Sequence, residues 1–153
     1  MAMRSSNGRF VAFASDAWDL IEDDTLGNAD IFLRRSEDIF VRDVVTGTTT
    51  RVNVDSAEDQ ATGASSSGPS ISADGSLIAF VSDANDLVLN DGNASEAAFV
   101  RDRTLDETLR VSVNSSGAER SGASEDPVIS ADRRFVVFGS KAKLAANDTA
   151  DAF

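Results

Sequence analysis

The sequence predicts an all-β chain built from one four-stranded antiparallel unit used repeatedly, and three observations predict it. The string RFVAFASDAWDLIEDD (9–24) returns as SLIAFVSDANDLVLND (76–91) and again as RFVVFGSKAKLAAND (134–148). A second string, DIFVRDVVTGTTTRVNVDS (38–56), returns as AAFVRDRTLDETLRVSVNS (97–115), and GPSISADG (68–75) returns as DPVISADR (126–133). Within each string, short runs rich in Val, Ile, Phe and Thr are bounded by Gly, Asp, Asn and Ser, which is the pattern of strands joined by turns. Self-similarity at this period marks a repeat architecture.

The elements follow in order. Strand a is expected at Pro69 to Ser72 and Pro127 to Ser130, and strand b at Phe10 to Ser15, Leu77 to Ser82 and Phe135 to Ser140. Strand b is apolar on both faces, as a sheet covered on both sides requires. Strand c is expected at Ile39 to Asp43 and Ala98 to Asp102, and strand d at Thr49 to Val54 and Thr108 to Val113. The a–b turn, Ser72-Ala73-Asp74-Gly75, has an Asp to cap it and a Gly free to take positive φ. In the third copy Arg133 replaces that glycine, which predicts a strained or reshaped turn. Phe10 and Leu77 lie 67 residues apart, Leu77 and Phe135 58, and Phe40 and Phe99 59. The surplus in the first copy falls between Asp24 and Asp38, where Asp-Ile-Phe occurs twice, and the second occurrence belongs to the regular strand. The expected units are therefore 1–56 (strands b to d, with an insertion near 25–37), 69–113 (complete) and 127–153 (strands a, b and the start of c).

Composition bounds the chemistry. With 153 residues, 41% of them hydrophobic, the chain is large enough to form a core. No stretch reaches the apolar length of a membrane span, and Met1 to Ser6 lacks the apolar segment of a leader, so an export signal is expected outside this chain. Cysteine, histidine and tyrosine are absent. This removes disulfides, the usual general base and the phenolic nucleophile. A net charge of −12 repels phosphate backbones and anionic lipid and favours cationic partners.

The recurrence of ISADGSLIAFVSD and FVRD resembles the TolB-like, WD-repeat-like β-propellers of bacteria, and the resemblance covers essentially the whole chain. It implies four-stranded antiparallel blades set radially around a channel. About two and a half repeats imply an incomplete, open propeller, by preference a fragment of a longer one and otherwise an arc that several copies complete by associating; an isolated arc has bare blade faces that favour self-association. It also implies a periplasmic or extracellular location.

In an antiparallel a-b-c-d meander, the a–b and c–d turns lie at one end, while the b–c loops and d-to-a crossovers lie at the other. Here the first set is short and the second long. The long connections, 16–37, 83–96, 141–151, 55–68 and 114–126, hold 19 of the 26 Asp and Glu but 5 of the 14 Lys and Arg, a net −14 against +2 for the remainder. The whole negative excess is thus expected on one face, where long loops on a rigid scaffold tend to carry binding residues.

Three stretches of that face combine carboxylates and carboxamides: Glu22-Asp23-Asp24 with Asn28 and Asp30, Asn90-Asp91-Gly92-Asn93 with Glu96, and Asn147-Asp148 with Asp151. Calcium takes such oxygen ligands, so Asp24, Asn28, Asp30, Asp91, Asn93 and Glu96 are the metal candidates. Capped turns are the plainer alternative. Trp18 is the ligand-face candidate for stacking, against burial under its loop. The Arg42-Asp43 and Arg101-Asp102 pairs, with Arg51 and Arg110 alongside, read as structural cross-strand charges, against a ligand-facing ladder. The crossovers ATGASSSGP and SSGAERSGASEDP read as flexible.

No catalytic constellation emerges. Ser-x-Asp-Gly matches the sialidase Asp-box loosely, and a serine hydrolase triad needs the missing histidine. The expected function is a non-catalytic binding or protein-interaction module. Its acidic loop face would take a basic protein segment or a cation-bridged ligand, with no nucleic acid and no membrane insertion. The alternatives are a fragment of a carbohydrate-active propeller enzyme and a structural calcium-binding repeat protein.

Overall fold

The computed structural model describes residues 2–17, 19–22, 37–62, 64–92 and 95–145. Among them are ten strands and no helix: β1 (Ala2–Arg4), β2 (Phe10–Ser15), β3 (Asp38–Asp43), β4 (Thr48–Arg51), β5 (Ser66–Ile71), β6 (Leu77–Ser82), β7 (Ala97–Asp102), β8 (Glu107–Arg110), β9 (Ser124–Ile129) and β10 (Val136–Ser140). They form sheet 1 (β1-β2-β3-β4), sheet 2 (β5-β6-β7-β8) and sheet 3 (β9-β10), with every pairing antiparallel. Sheets 1 and 2 are superimposable in register: Phe40 pairs with Arg51 as Phe99 does with Arg110, and Phe13 stacks on Phe40 as Phe80 does on Phe99, both at 5.8 Å.

Three expectations need correction. The first unit does not begin at strand b, because Ala2–Arg4 supplies strand a, pairing with Val11 to Phe13. Three residues suffice since the following turn repeats the one in sheet 2. Ser5 Oγ donates to Asn7 Oδ1 as Ser72 Oγ donates to Asp74 Oδ1, and Gly8 (φ 69°) stands where Gly75 (φ 78°) does. The inner strands also start earlier than their prolines suggest, at Ser66 and Ser124. The register shift between Ser67 and Ser70 is a bulge at Gly68-Pro69, which spares the ladder the missing proline N–H. Gly68 takes φ 60° there, and Asp126, before Pro127, takes φ 49°. Third, the serine-rich crossovers are built rather than loose: Val54 bridges Gln60 and Val113 bridges Glu119 around matching tight turns. Arg133 adopts φ 66°, so an arginine takes the left-handed conformation that the glycines supply elsewhere.

Each sheet has a forward face toward the next sheet in sequence and a rear face toward the previous one. Ala12 and Val41 on the forward face of sheet 1 share a buried cluster with Ile71, Ile78, Phe80 and Phe99 on the rear face of sheet 2. Ala79 and Val100 on the forward face of sheet 2 are covered by Ile129 and Val136 of sheet 3. At the corner of the first junction, the Phe10 ring lies on Gly75 between the guanidinium groups of Arg9 and Arg103, 4.9 and 5.0 Å from its centroid. The Arg103 Nη1 also donates to the Gly75 carbonyl at 2.9 Å. A Cβ on Gly75 would stand 2.2 Å from Phe10 Cδ2, whereas one on Gly117 (φ 78°) would meet nothing within 4 Å.

This contrast predicts that Gly117→Ala costs only the left-handed backbone penalty, about 1–2 kcal/mol. Gly75→Ala adds over-packing of about 1–3 kcal/mol on top. Urea unfolding of the two variants measures the difference.

Candidate functional site

The two rims of the arc are held differently. At the short-turn rim, Arg9 grips Asp43 with three hydrogen bonds of 2.7 to 3.1 Å, and Asp43 also accepts from the backbone N–H groups of Val45 and Thr46. The Arg9 guanidinium, with those amides, holds the Asp43 carboxyl well below the usual carboxylate range. In the a–b turns the N–H of Ser76, assisted by the hydroxyls of Ser72 and Ser76 and by Arg133, lowers Asp74 to about 2. Asp132 is lowered in the same way, chiefly by the Ser130 hydroxyl and then by the Arg134 N–H.

At the long-loop rim, connections from neighbouring sheets are tied together. Thr62 donates its N–H (2.9 Å) and hydroxyl (2.5 Å) to Asp86, Ser65 N–H donates to Asp83 at 2.7 Å, and Gly92 N–H donates to Glu119 at 3.2 Å. These bonds join the second b–c loop to the crossovers on either side of it.

Of the sequence-designated residues, Trp18, Asp24, Asn28, Asp30 and Asn93 lie outside the described residues, as do Asn147, Asp148 and Asp151. Asp91 and Glu96 are described. The Asp91 side chain is 1% exposed and bonds to Arg110 Nη1 at 2.7 Å; Arg110, 6% exposed, also reaches Glu119 at 2.5 Å. Glu96 is exposed, and its carbonyl accepts from Ser124 N–H. Among the described residues no three acidic side chains converge to hold a metal ion. What Asp91 holds here is a guanidinium.

Sequence reading named Arg110 as a structural charge but not its partners, although comparing the repeats exposes a signal for them. Arg51 is the equivalent residue in sheet 1, also buried, and lies 3.4 Å from Asp38 and 5.6 Å over the Phe40 ring. Asp38 becomes Ala97 in the second copy while Gln60 becomes Glu119. The cation is kept, and in the second copy Asp91 of the b–c loop and Glu119 of the crossover are its carboxylate partners. A buried charge tolerates a change in the source of its counter-ion but not its loss.

The expectation that every long connection lies on one rim is also corrected. The turn at Asp55–Asp59 folds against the outer strands of sheet 2: Arg101, 4% exposed, donates to the Asp55 carbonyl at 3.0 Å and pairs with the Glu58 carboxylate, and Thr108 donates to the Val54 carbonyl at 2.5 Å. Glu58 accepts φ 70° to make that reach, where the next copy has Gly117. Among the described residues, the acids exposed on the first two b–c loops are Asp16, Asp19, Glu22, Glu37, Asp86 and Glu96. The second of these loops also carries Leu89, 94% exposed beside Asn90 at φ 63°, and the first carries the exposed Leu20. The third b–c loop differs, exposing Lys141 and Lys143. Lys143, Arg120 and Asn114 line an open cavity of about 310 Å³ between that loop and the second crossover.

No family model and no curated protein matches the chain. Solved structures do. The tricorn protease aligns at TM-score 0.55 and 17% identity, over 92% of this chain and 11% of that one. TolB from Acinetobacter baumannii aligns at TM-score 0.50 and 16% identity, over 92% of this chain and 28% of that one. A putative TolB from Agrobacterium tumefaciens aligns at TM-score 0.53 and 19% identity, over 99% of this chain and 39% of that one. The chain thus spans well under half the length of each. The likeness establishes the fold as an incomplete, open β-propeller of four-stranded antiparallel blades.

Two outcomes follow from the electrostatics. A carboxyl whose pKa is lowered on folding contributes stability above its unfolded value, about 3.9, and that contribution is lost as pH falls through the folded value. Urea midpoints measured from pH 5 downward should therefore fall less steeply for Asp43→Asn than for the parent chain. Arg110→Ala, which removes the guanidinium from the buried Asp91 carboxylate, should cost about 3–5 kcal/mol, whereas Arg42→Ala at the exposed equivalent of Arg101 should stay within about 0.5 kcal/mol.

Proposed function

We propose that the chain is a non-catalytic interaction module whose b–c loop rim docks a protein segment carrying both basic and apolar side chains. The observation that carries this reading is Leu89, 94% exposed on a loop whose neighbouring charges are carboxylates. A cationic segment gains long-range attraction from the six exposed acids, and an apolar side chain on it gains by covering Leu89. The reading is non-catalytic because the chain has no histidine, cysteine or tyrosine and no carboxylate pair singled out by its spacing. It includes a periplasmic or extracellular setting, which the resemblance to TolB-like propellers supports.

A fluorescent Lys/Leu peptide titrated into the chain and followed by anisotropy provides the test. Binding is expected to weaken as salt rises, and Leu89→Ser is expected to weaken it about tenfold, the equivalent of burying part of one leucine. Glu22→Gln with Glu96→Gln should reduce the salt dependence. Affinity indifferent to all three substitutions would overturn the reading. Unchanged affinity in chelator separates direct docking from a calcium-bridged contact, and product analysis after incubation with glycans, expected to be blank, separates it from hydrolysis.

A further inference from the structure

The two uncovered faces of the arc are counterparts. On sheet 3, Val128 and Val137 are cross-strand partners on the forward face, 57% and 71% exposed. The residues equivalent to Val137 in the other sheets, Ala12 and Ala79, are 0% exposed because a following sheet covers them. At the corner of the same face, Arg134 lies 5.0 Å over the ring of Phe135, which is 58% exposed. This repeats Arg9 over Phe10, with one difference: the Phe10 ring is seated on a glycine of the next sheet's a–b turn.

The rear face of sheet 1 offers that seat. Gly8 is the equivalent of Gly75, with the same positive φ, and a Cβ built on it would meet only Arg4 Cδ at 3.9 Å. Val44, 54% exposed, stands where Arg103 closes over Phe10. Val11 and Phe13, half-buried, occupy the places of the fully buried Ile78 and Phe80, and Arg42 is exposed where Arg101 is buried. Sizes also trade. Where Ala12 shares a cluster with Ile78, the larger Val137 would meet the smaller Val11.

We propose that copies of this chain associate head to tail, the forward face of sheet 3 docking on the rear face of sheet 1 of a second copy, with Phe135 seated on its Gly8 turn. The contact is heterologous, so each copy uses one face for each neighbour, and association proceeds to a ring or an open array according to the rotation per step. The occupant is fixed by continuity with the two junctions inside the chain, which show the kind of surface that covers such a face.

Sedimentation velocity over a concentration series tests this on the whole chain. The weight-average mass is expected to rise to at least twice that of one chain. Val137→Asp puts a charge in the forward face, and Gly8→Asn puts a side chain under Phe135 while tolerating the positive φ; each variant alone is expected to sediment as a single chain with its cooperative melt retained. Mixed together, they should form a one-to-one pair and stop, since each supplies the face the other lacks. A parent chain that stays single at every concentration, association that survives Val137→Asp, or a mixture that does not pair would each overturn the proposal.

Discussion

Everything in this structure depends on sheets that are apolar on both faces. Ala12, Val41, Ala79 and Val100 point forward while Ile78, Phe80 and Phe99 point back, so no sheet can bury its apolar surface by itself. Side-by-side stacking is the solution, and it sets what the junctions can contain. Small residues on one face meet branched and aromatic ones on the other, because strands that interdigitate this closely cannot place large side chains on both sides of one gap. The same constraint makes Gly75 indispensable, since its missing Cβ is the space that Phe10 occupies.

Charges are buried at these junctions, and in each case the geometry supplies a specific answer. Arg101 is taken up by the crossover turn of the preceding sheet, through a carbonyl and the Glu58 carboxylate. Arg110 is taken up by Asp91 and Glu119. The Arg101 contacts join sheet 2 to a connection distant in sequence, so they set the relative placement of neighbouring sheets more directly than apolar contact, which is non-directional, while those of Arg110 tie sheet 2 to its own b–c loop and outgoing crossover. Arg42 shows the contrast: it is the same residue in the same strand position, and in sheet 1 it is exposed, with Thr49 as its neighbour at 3.0 Å.

The acidity of the chain is consequently divided between two tasks. Asp91, Glu119 and Glu58 serve as counter-ions to buried arginines, and Asp83 and Asp86 accept hydrogen bonds that tie loops from adjacent sheets together. Among the described residues, six of the carboxylates that remain exposed sit on the first two b–c loops, the second of which also exposes Leu89. Net charge read from composition overstates the negative field of the rim, because part of it is already spent against arginines inside.

The repeated strings were enough to establish the four-stranded meander and the turn at Ser72–Gly75, because hydrophobic periodicity and turn residues act locally and recur in each copy. They also sufficed to read the Arg51 and Arg110 positions as structural. The first strand escaped notice, since Ala2–Arg4 is too short to show a pattern and becomes a strand only by pairing with Val11 to Phe13. The partners of Asp91 and Glu58 were equally hidden: nothing in a string of acidic residues says which of them faces an arginine about forty or twenty residues away in the chain. Sequence determined the repeating unit and the chemistry available to it, because both follow from local residue preferences. Tertiary structure alone decided which charges are internal and which face water, because burial depends on which sheet lies next to which.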